Sequence, residues 1–289
     1  MNLRHVLCIS VLSFAIVPLA SANQLLFEDF NYPTGSLDGQ NGGTGWAGSW
    51  VAPAEYNVVS GSLTYPQLAH SGNRAQFDPS SLAGTNAIRT LSPLGPNGST
   101  FWLSFLLSFD GTLAQNTADV RLDAMNGSIY LGRPLSSQIN WGVEDAAQGN
   151  ANPYSESSIP IVSGSPVFVV LRIDLNSDPK ANDTTTVYFN PDVATTQGAN
   201  PGVPGMVFND LNFSSGNVTL ALDGSAFPNP LTTGFRANYD PIRGGTTYAD
   251  VAPAVPATVP EPATWSLIAV ALAFLGTTAR WRRHGRAKA

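Results

Sequence analysis

The chain has 289 residues, with 14 Lys/Arg against 20 Asp/Glu and a single cysteine. Its net charge of −6 disfavours polyanions, so nucleic acid and anionic lipid surfaces are excluded as partners. One cysteine excludes a disulfide within the chain and, with only 3 histidines, argues against a transition-metal site.

The N-terminus has a positive head at Arg4 and His5, an apolar run from Val6 to Leu19, and small residues at Ala20 and Ala22. That arrangement predicts a secretory signal peptide over residues 1–22, cleaved after Ala22 and handled by the Sec export machinery. The alternative is a membrane anchor, for which the run is short. Cys8 lies inside the run, so the mature chain has no thiol and its fold must rest on its core.

The body, residues 23–252, holds 8 Lys/Arg and 19 Asp/Glu, a net charge near −11. It reads as short alternating segments between Gly-, Asn- and Pro-rich turns. Val58 to Tyr65 is the first predicted strand. Thr100 to Phe109 places Phe101, Leu103, Phe105, Leu107 and Phe109 on one face, with Trp102, Ser104, Leu106 and Ser108 on the other. Asp119 to Met125, Ser128 to Leu131 and Gln138 to Val143 follow. Pro166 to Asn190 predicts a hairpin: Val167 to Leu175 alternates, NSDPKAND turns, and TTTVYFN returns. Asn217 to Asp223 and Thr246 to Val251 close the series. No segment of the body shows a sustained helical period. The expected class is all-β, an antiparallel sandwich of jelly-roll type.

Residues 253–262 form a Pro/Ala linker, too proline-rich for a central strand and stiff enough to act as a spacer. Residues 263–279 carry no charge and are followed by Arg280, Arg282, Arg283, Arg286 and Lys288. This predicts one C-terminal transmembrane helix with a basic cytoplasmic tail, residues 280–289. A buried core helix is the alternative, disfavoured by the terminal position and the trailing cations.

Val259, Pro260, Glu261 and Pro262, then the apolar run, then the basic end, together resemble the PEP-CTERM sorting signal. The resemblance implies recognition of Pro260, Glu261 and Pro262 by exosortase, a membrane protease-transferase of bacteria that make extracellular polysaccharide. It also implies export, inner-membrane anchoring before processing, and a final place at the cell surface or in the extracellular matrix. The body resembles concanavalin A-like (laminin G-like) sandwich domains at its two ends. At the first end stand Phe27 to Tyr32, Gly35, Gly45, Trp46 and Trp50. At the second stands Tyr239 to Val251, where Pro241 and Gly244 depart from the usual pattern.

Glucanases of that fold class carry two or three carboxylates on one strand, and hydrolysis needs a pair. No such run is present. Glu28-Asp29 and Glu144-Asp145 point to opposite faces, and Asp119 and Asp123 stand about 13 Å apart if extended. His70 lies in a turn-like stretch, and no Gly-x-Ser-x-Gly elbow accompanies it. Asp174-x-Asn176-x-Asp178 opens like a calcium loop, but Pro179 and Thr185 stand where glycine and glutamate are needed. The bland reading is a hairpin turn; a calcium site using Asp174, Asp178 or Asp183 is the other. Trp46, Trp50 and Trp141 suit either sugar stacking or the core. The expectation is a non-catalytic structural or adhesive surface protein. A lectin-like module binding extracellular polysaccharide is the alternative, and a glycan hydrolase the second.

Overall fold

The computed structural model describes residues 24–79, 84–113, 116–147, 154–193, 203, 205–214, 218–225 and 234–255. The predicted signal peptide, most of the linker, the sorting residues Val259 to Pro262, the predicted membrane span and the basic tail lie outside the described residues. Among the described residues no helix is long and apolar enough to cross a membrane. The fold below lies in the unit Met1–Ala254.

In chain order the strands are β1 (Gln24–Glu28), β2 (Gly35–Ser36), β3 (Tyr56–Val59), β4 (Arg74–Phe77), β5 (Gly84–Thr90), β6 (Thr100–Asp110), β7 (Thr117–Ala124) and β8 (Gly127–Arg133). Then come β9 (Asn140–Asp145), β10 (Tyr154–Pro160), β11 (Val167–Asp174), β12 (Thr184–Phe189), β13 (Met206–Phe208), β14 (Thr219–Ser225) and β15 (Arg236–Gly245). One helical turn, α1 (Tyr248–Val251), follows. A nine-stranded sheet runs β13-β12-β11-β6-β15-β4-β3-β2, with β1 also paired to β15. A six-stranded sheet runs β10-β9-β8-β7-β14-β5. Within each sheet the paired strands run antiparallel, from β6 with β11 and β15 to β7 with β8 and β14.

The alternation along β6 explains the layering. Phe101, Leu103, Phe105, Leu107 and Phe109 meet Val120, Leu122, Leu131 and Leu222 from the other sheet in one buried core. The opposite face of β6 is apolar too, and it is covered. Trp102 and Leu106 join Phe168 and Val170 of β11 beneath Leu68, Tyr248, Val251 and Ala252. The outer face of the nine-stranded sheet is thus closed by α1 and by the segment after β3. The outer face of the six-stranded sheet has no such cluster among the described residues.

The predicted hairpin pairs Val169 with Phe189 through Asp174 with Thr184. Two expectations are corrected. The strand expected over Val58 to Tyr65 is Tyr56–Val59, because Gly61 turns the chain with φ +85°. Ser62 and Leu63 then donate their hydroxyl and N–H to Asp240. Thr246 to Val251 is not a strand. Thr247 accepts from Asp250 N–H, and the Asp250 carboxylate accepts the N–H groups of Thr246 and Thr247, a reciprocal cap that starts α1.

Candidate functional site

The two ends that carry the sandwich resemblance meet in space. β1 pairs with the second half of β15, from Gln24 opposite Gly245 to Glu28 opposite Ile242. Arg243 lies over the Phe27 ring at 5.7 Å and donates to the Ala69 carbonyl. Gly244 leaves room for Phe101 and Leu26; a Cβ there would stand 2.6 Å and 2.8 Å from them.

The tryptophans near the first end belong to a buried ion-pair network. Glu28 and Arg89 pair at 2.5 Å with almost no exposure of either side chain. Glu28 also accepts from Tyr32 hydroxyl at 2.6 Å, Trp50 Nε1 at 3.1 Å and Phe30 N–H at 2.8 Å. Arg89 donates to Gly48 and Gly42 carbonyls and to Asn41, and lies 4.7 Å over the Trp46 ring. Burial raises the Glu28 pKa, while Tyr32, Trp50, Phe30 N–H and Arg89 pull it back. The network fastens residues 37–51 to β1 and β5. Trp141 is buried and stacks on Phe109 at 4.9 Å and 11°. A sugar-stacking platform at Trp50 and Trp141 is therefore corrected: both are core residues, and Trp46 sits half-buried beneath Arg89.

The calcium candidates are occupied by the hairpin turn. Asp183 is buried and accepts the N–H groups of Asn176 and Phe213 and the Ser214 hydroxyl, at 2.6–2.9 Å. Asp174 takes the Thr100 hydroxyl and Arg172. Asp178 accepts Lys180 N–H at 3.0 Å. Among the described residues no three His, Cys, Asp or Glu side chains converge as a metal cluster.

The polar groups that do converge lie on the outer face of the six-stranded sheet. Strand alternation sends every second residue there, and the register sets them in rows. One row reads Tyr154, Glu144, Tyr130, Arg121, Ala221 and Ile88 from β10 to β5. The next reads Glu156, Gly142, Gly132, Asp119, Asp223 and Asn86. Asp123 follows beyond Arg121, opposite Ser128, whose hydroxyl it accepts at 2.7 Å. Each row spans five strand spacings, about 24 Å.

Arg121 is the centre of this face. It meets Asp123 at 2.9 Å and Asp223 at 3.0 Å, and lies over the Tyr130 ring at 5.6 Å. Burial opposes its charge, but Asp123 and Asp223 outweigh that and its pKa rises. Burial, then the Asp223 charge, pushes the Asp119 carboxyl well above the usual range. Burial also raises Asp223, with Arg121 opposing. Glu144 is raised by burial and pulled back by its hydrogen bond from Tyr154. Strongly perturbed groups gathered on one face mark a candidate site.

Two buried groups on this face have an atom without a partner. Asp119 is 4% exposed and its Oδ1 accepts nothing. Gln138 is 2% exposed; its Oε1 accepts Leu135 N–H, but its Nε2 donates to nothing. That Nε2 lies 2.7 Å from where a Cβ on Gly142 would stand. The Gln138 amide and the Ser155 carbonyl thus fill the space over Gly142, and a Cβ on Gly132 would meet Leu107 of the core at 2.7 Å. Sequence reasoning stopped at Asp119 and Asp123 because the partner carboxylate, Asp223, comes from β14, far along the chain. Gln138 and Tyr130 gave no signal of their own.

Residues 258–283 match the family model of the PEP-CTERM protein-sorting motif. The chain carries a PEP-CTERM sorting motif. The PEP-CTERM match begins one residue before Val259 and includes Arg280, Arg282 and Arg283. No curated protein sequence matches the chain. Among solved structures, the fold is similar to an endo-β-1,4-glucuronan lyase from the fungus Trichoderma reesei. The TM-score is 0.50 at 12% identity, over 80% of this chain and 100% of that one. It is also similar to the carbohydrate recognition domain of Emp47p, with TM-score 0.43 and 9% identity over 77% of this chain and 95% of that one. At these identities the likeness is one of fold alone.

Proposed function

We propose that this is an exported surface or matrix protein that exosortase processes at Pro260, Glu261 and Pro262. Its sandwich, in this reading, is a non-catalytic adhesive module that binds extracellular polysaccharide. The domain plan is a 1–22 signal peptide, a concanavalin A-like jelly-roll body, the 253–262 spacer, and a 263–279 membrane span with its basic tail. The span holds the chain in the inner membrane until it is cut. The PEP-CTERM motif supports the sorting half of this reading.

The observation that carries the adhesive half is the polar outer face of the six-stranded sheet, over which no apolar cluster lies among the described residues. It bears Tyr130 and Tyr154 beside Glu144, Arg121 and Asp223 in adjoining rows. Sugar hydroxyls both donate and accept, so they suit a face of carboxylates, tyrosine hydroxyls and a guanidinium.

A thermal-shift screen of the full chain against a polysaccharide panel tests it, because a ligand of the native state raises the melting temperature. A shift that disappears in Tyr130→Ala supports the reading; no shift with any polysaccharide removes it. Replacing Glu261 by alanine in the producing cell tests the sorting half separately: unchanged processing and location would overturn it. One observation favours the hydrolase reading, the direct opposition of Asp119 and Asp223 across β7 and β14. Turnover of a panel glycan, lost in both Asp119→Asn and Asp223→Asn, would establish it.

A further inference from the structure

An asparagine followed by glycine is open to attack on its side-chain amide by the next backbone nitrogen, because glycine has no Cβ to shield that nitrogen. The chain has three such pairs: Asn41-Gly42, Asn97-Gly98 and Asn126-Gly127. All three lie in described residues, and the fold holds them differently.

At the first pair, Asn41 Oδ1 accepts from Arg89 Nη2 at 3.0 Å, and Gly42 N–H donates to the Tyr32 hydroxyl at 3.0 Å. The Tyr32 ring lies close over Gly42, where a Cβ would stand 2.8 Å from it. At the third pair both ends of the amide are held. Asn126 Oδ1 accepts Asn212 N–H at 2.8 Å, and its Nδ2 donates to the Asp210 carbonyl at 2.7 Å. Gly127 opens β8 opposite Ala124, and a Cβ on it would stand 2.6 Å from the Ala146 carbonyl. Neither amide can swing over its own backbone without breaking these bonds.

Asn97 is exposed in the turn between β5 and β6, and among the described residues its amide has no hydrogen-bond partner. Ser99 N–H donates to the Pro96 carbonyl at 3.1 Å and closes the turn. Gly98 has φ +79° and open space beside it: the nearest atom to an added Cβ is Ser177 Cβ at 3.8 Å. One bond holds the attacking nitrogen, from Gly98 N–H to the Leu175 carbonyl at 3.0 Å. A surface turn held by so few bonds opens locally more often than the network at Asn41 or the strand pair at Asn126.

We propose that Asn97 is a self-modification site, at which the folded chain deamidates through a cyclic imide formed with Gly98. The Gly98 amide nitrogen gives its proton to solvent and bonds to Asn97 Cγ. The Cγ–Nδ2 bond breaks, and that nitrogen leaves as ammonia. Water then adds to either carbonyl of the imide and leaves an aspartyl or an isoaspartyl linkage, so water is the co-reactant and nothing is oxidised or reduced. Either product adds a carboxylate beside the hairpin turn that carries Asp174 and Asp178. The isoaspartyl form also lengthens the backbone inside the bond from Ser99 to Pro96.

The test is incubation of the full chain in mild detergent and mildly alkaline buffer, beside a urea-unfolded sample, followed by tryptic digestion and mass spectrometry. Asn97 falls in the peptide 90–121, Asn126 in 122–133, and Asn41 in the peptide that ends at Arg74. Expected in the native chain is deamidation at Asn97 about tenfold faster than at Asn41 or Asn126, with all three converting in urea. Asn97→Gln has to close a larger ring and is expected to lose the modification at that position while the melting temperature stays the same. Conversion of Asn41 or Asn126 as fast as Asn97 in the native chain would overturn the site. So would an Asn97 that stays intact in the native chain while the urea sample converts.

Discussion

Asp240 offers a sharp test of how burial sets a carboxyl in this fold. It is fully buried on β15, beneath the segment that follows β3. Burial raises its pKa from 3.8 to about 8, with Asp29 adding to the rise; Ser62, Leu63 N–H and Arg243 pull the other way. A folded-state pKa above the unfolded value means that the native protein binds this proton more tightly. The stabilisation is therefore fully present below the unfolded pKa and is lost as pH rises towards the folded one. Between pH 5 and pH 8 the unfolded group is ionised while the native group stays largely protonated. The slope is then close to one proton, and three pH units amount to on the order of 4 kcal/mol. Asp240→Asn keeps an oxygen for Ser62 and Leu63 and places an amide where Oδ1 has no partner. The variant should match the parent near pH 5 and exceed it increasingly towards pH 8. At about 2–4 °C per kcal/mol for a domain of this size, the gap in melting temperature reaches roughly 10 °C. Thermal melts of both proteins at pH 5, 6.5 and 8 read it directly. Melting temperatures that run parallel across that range would refute the reasoning.

Three further outcomes follow from particular contacts. Arg89→Met leaves Glu28 buried without its cation and should cost about 3–5 kcal/mol in urea unfolding, with Glu28→Gln in the same chain restoring part of it. Gly244→Ala drives a methyl group against Phe101 and Leu26 and should cost about 1–3 kcal/mol, read from the shift in urea midpoint. Thr247→Ala removes the cap of α1 and should cost about 1 kcal/mol, with faster amide exchange at Asp250 and Ala252.

The strands that were legible in the sequence are those whose alternation is decided within the strand. β6, β7 and β11 set apolar residues on the central core at every second position and β12 alternates buried with half-buried ones, and the structure pairs β6 with β11 and β11 with β12 accordingly. β15 was not legible, since Pro241, Gly244 and Gly245 lie inside it. Its tertiary setting explains each. Pro241 sits where the pairing with β6 shifts between Asp240 and Arg243, so its missing N–H breaks no ladder bond. Gly244 and Gly245 admit Phe101, Leu26 and Asp250. α1 was hidden because Thr246 to Val251 alternates like a strand, while its cap depends on Asp250 reaching back three and four residues. The candidate face was the least legible part. Asp119, Glu144 and Asp223 come from three strands, and their meeting depends on register, which no local pattern states.

The two outer faces of the sandwich divide the work of stability and recognition. On the nine-stranded sheet, Trp102, Leu106, Phe168 and Val170 need a cover, and α1 with the segment around Leu68 supplies it. Changes there act on folding, as the Asp240 and Thr247 predictions do. On the six-stranded sheet most outward positions are polar, so little apolar surface there needs a cover against water. The core beneath is complete without them: Leu122, Ile129, Leu131 and Val143 face inward from the same strands. Charge can therefore accumulate outside while hydrophobic packing holds the strands from within. Substitutions at Glu144 or Tyr130 should alter ligand preference with little effect on melting, whereas their inward neighbours Val143 and Leu131 should do the reverse. That separation makes binding assays on this face interpretable, because loss of binding there does not have to mean loss of fold.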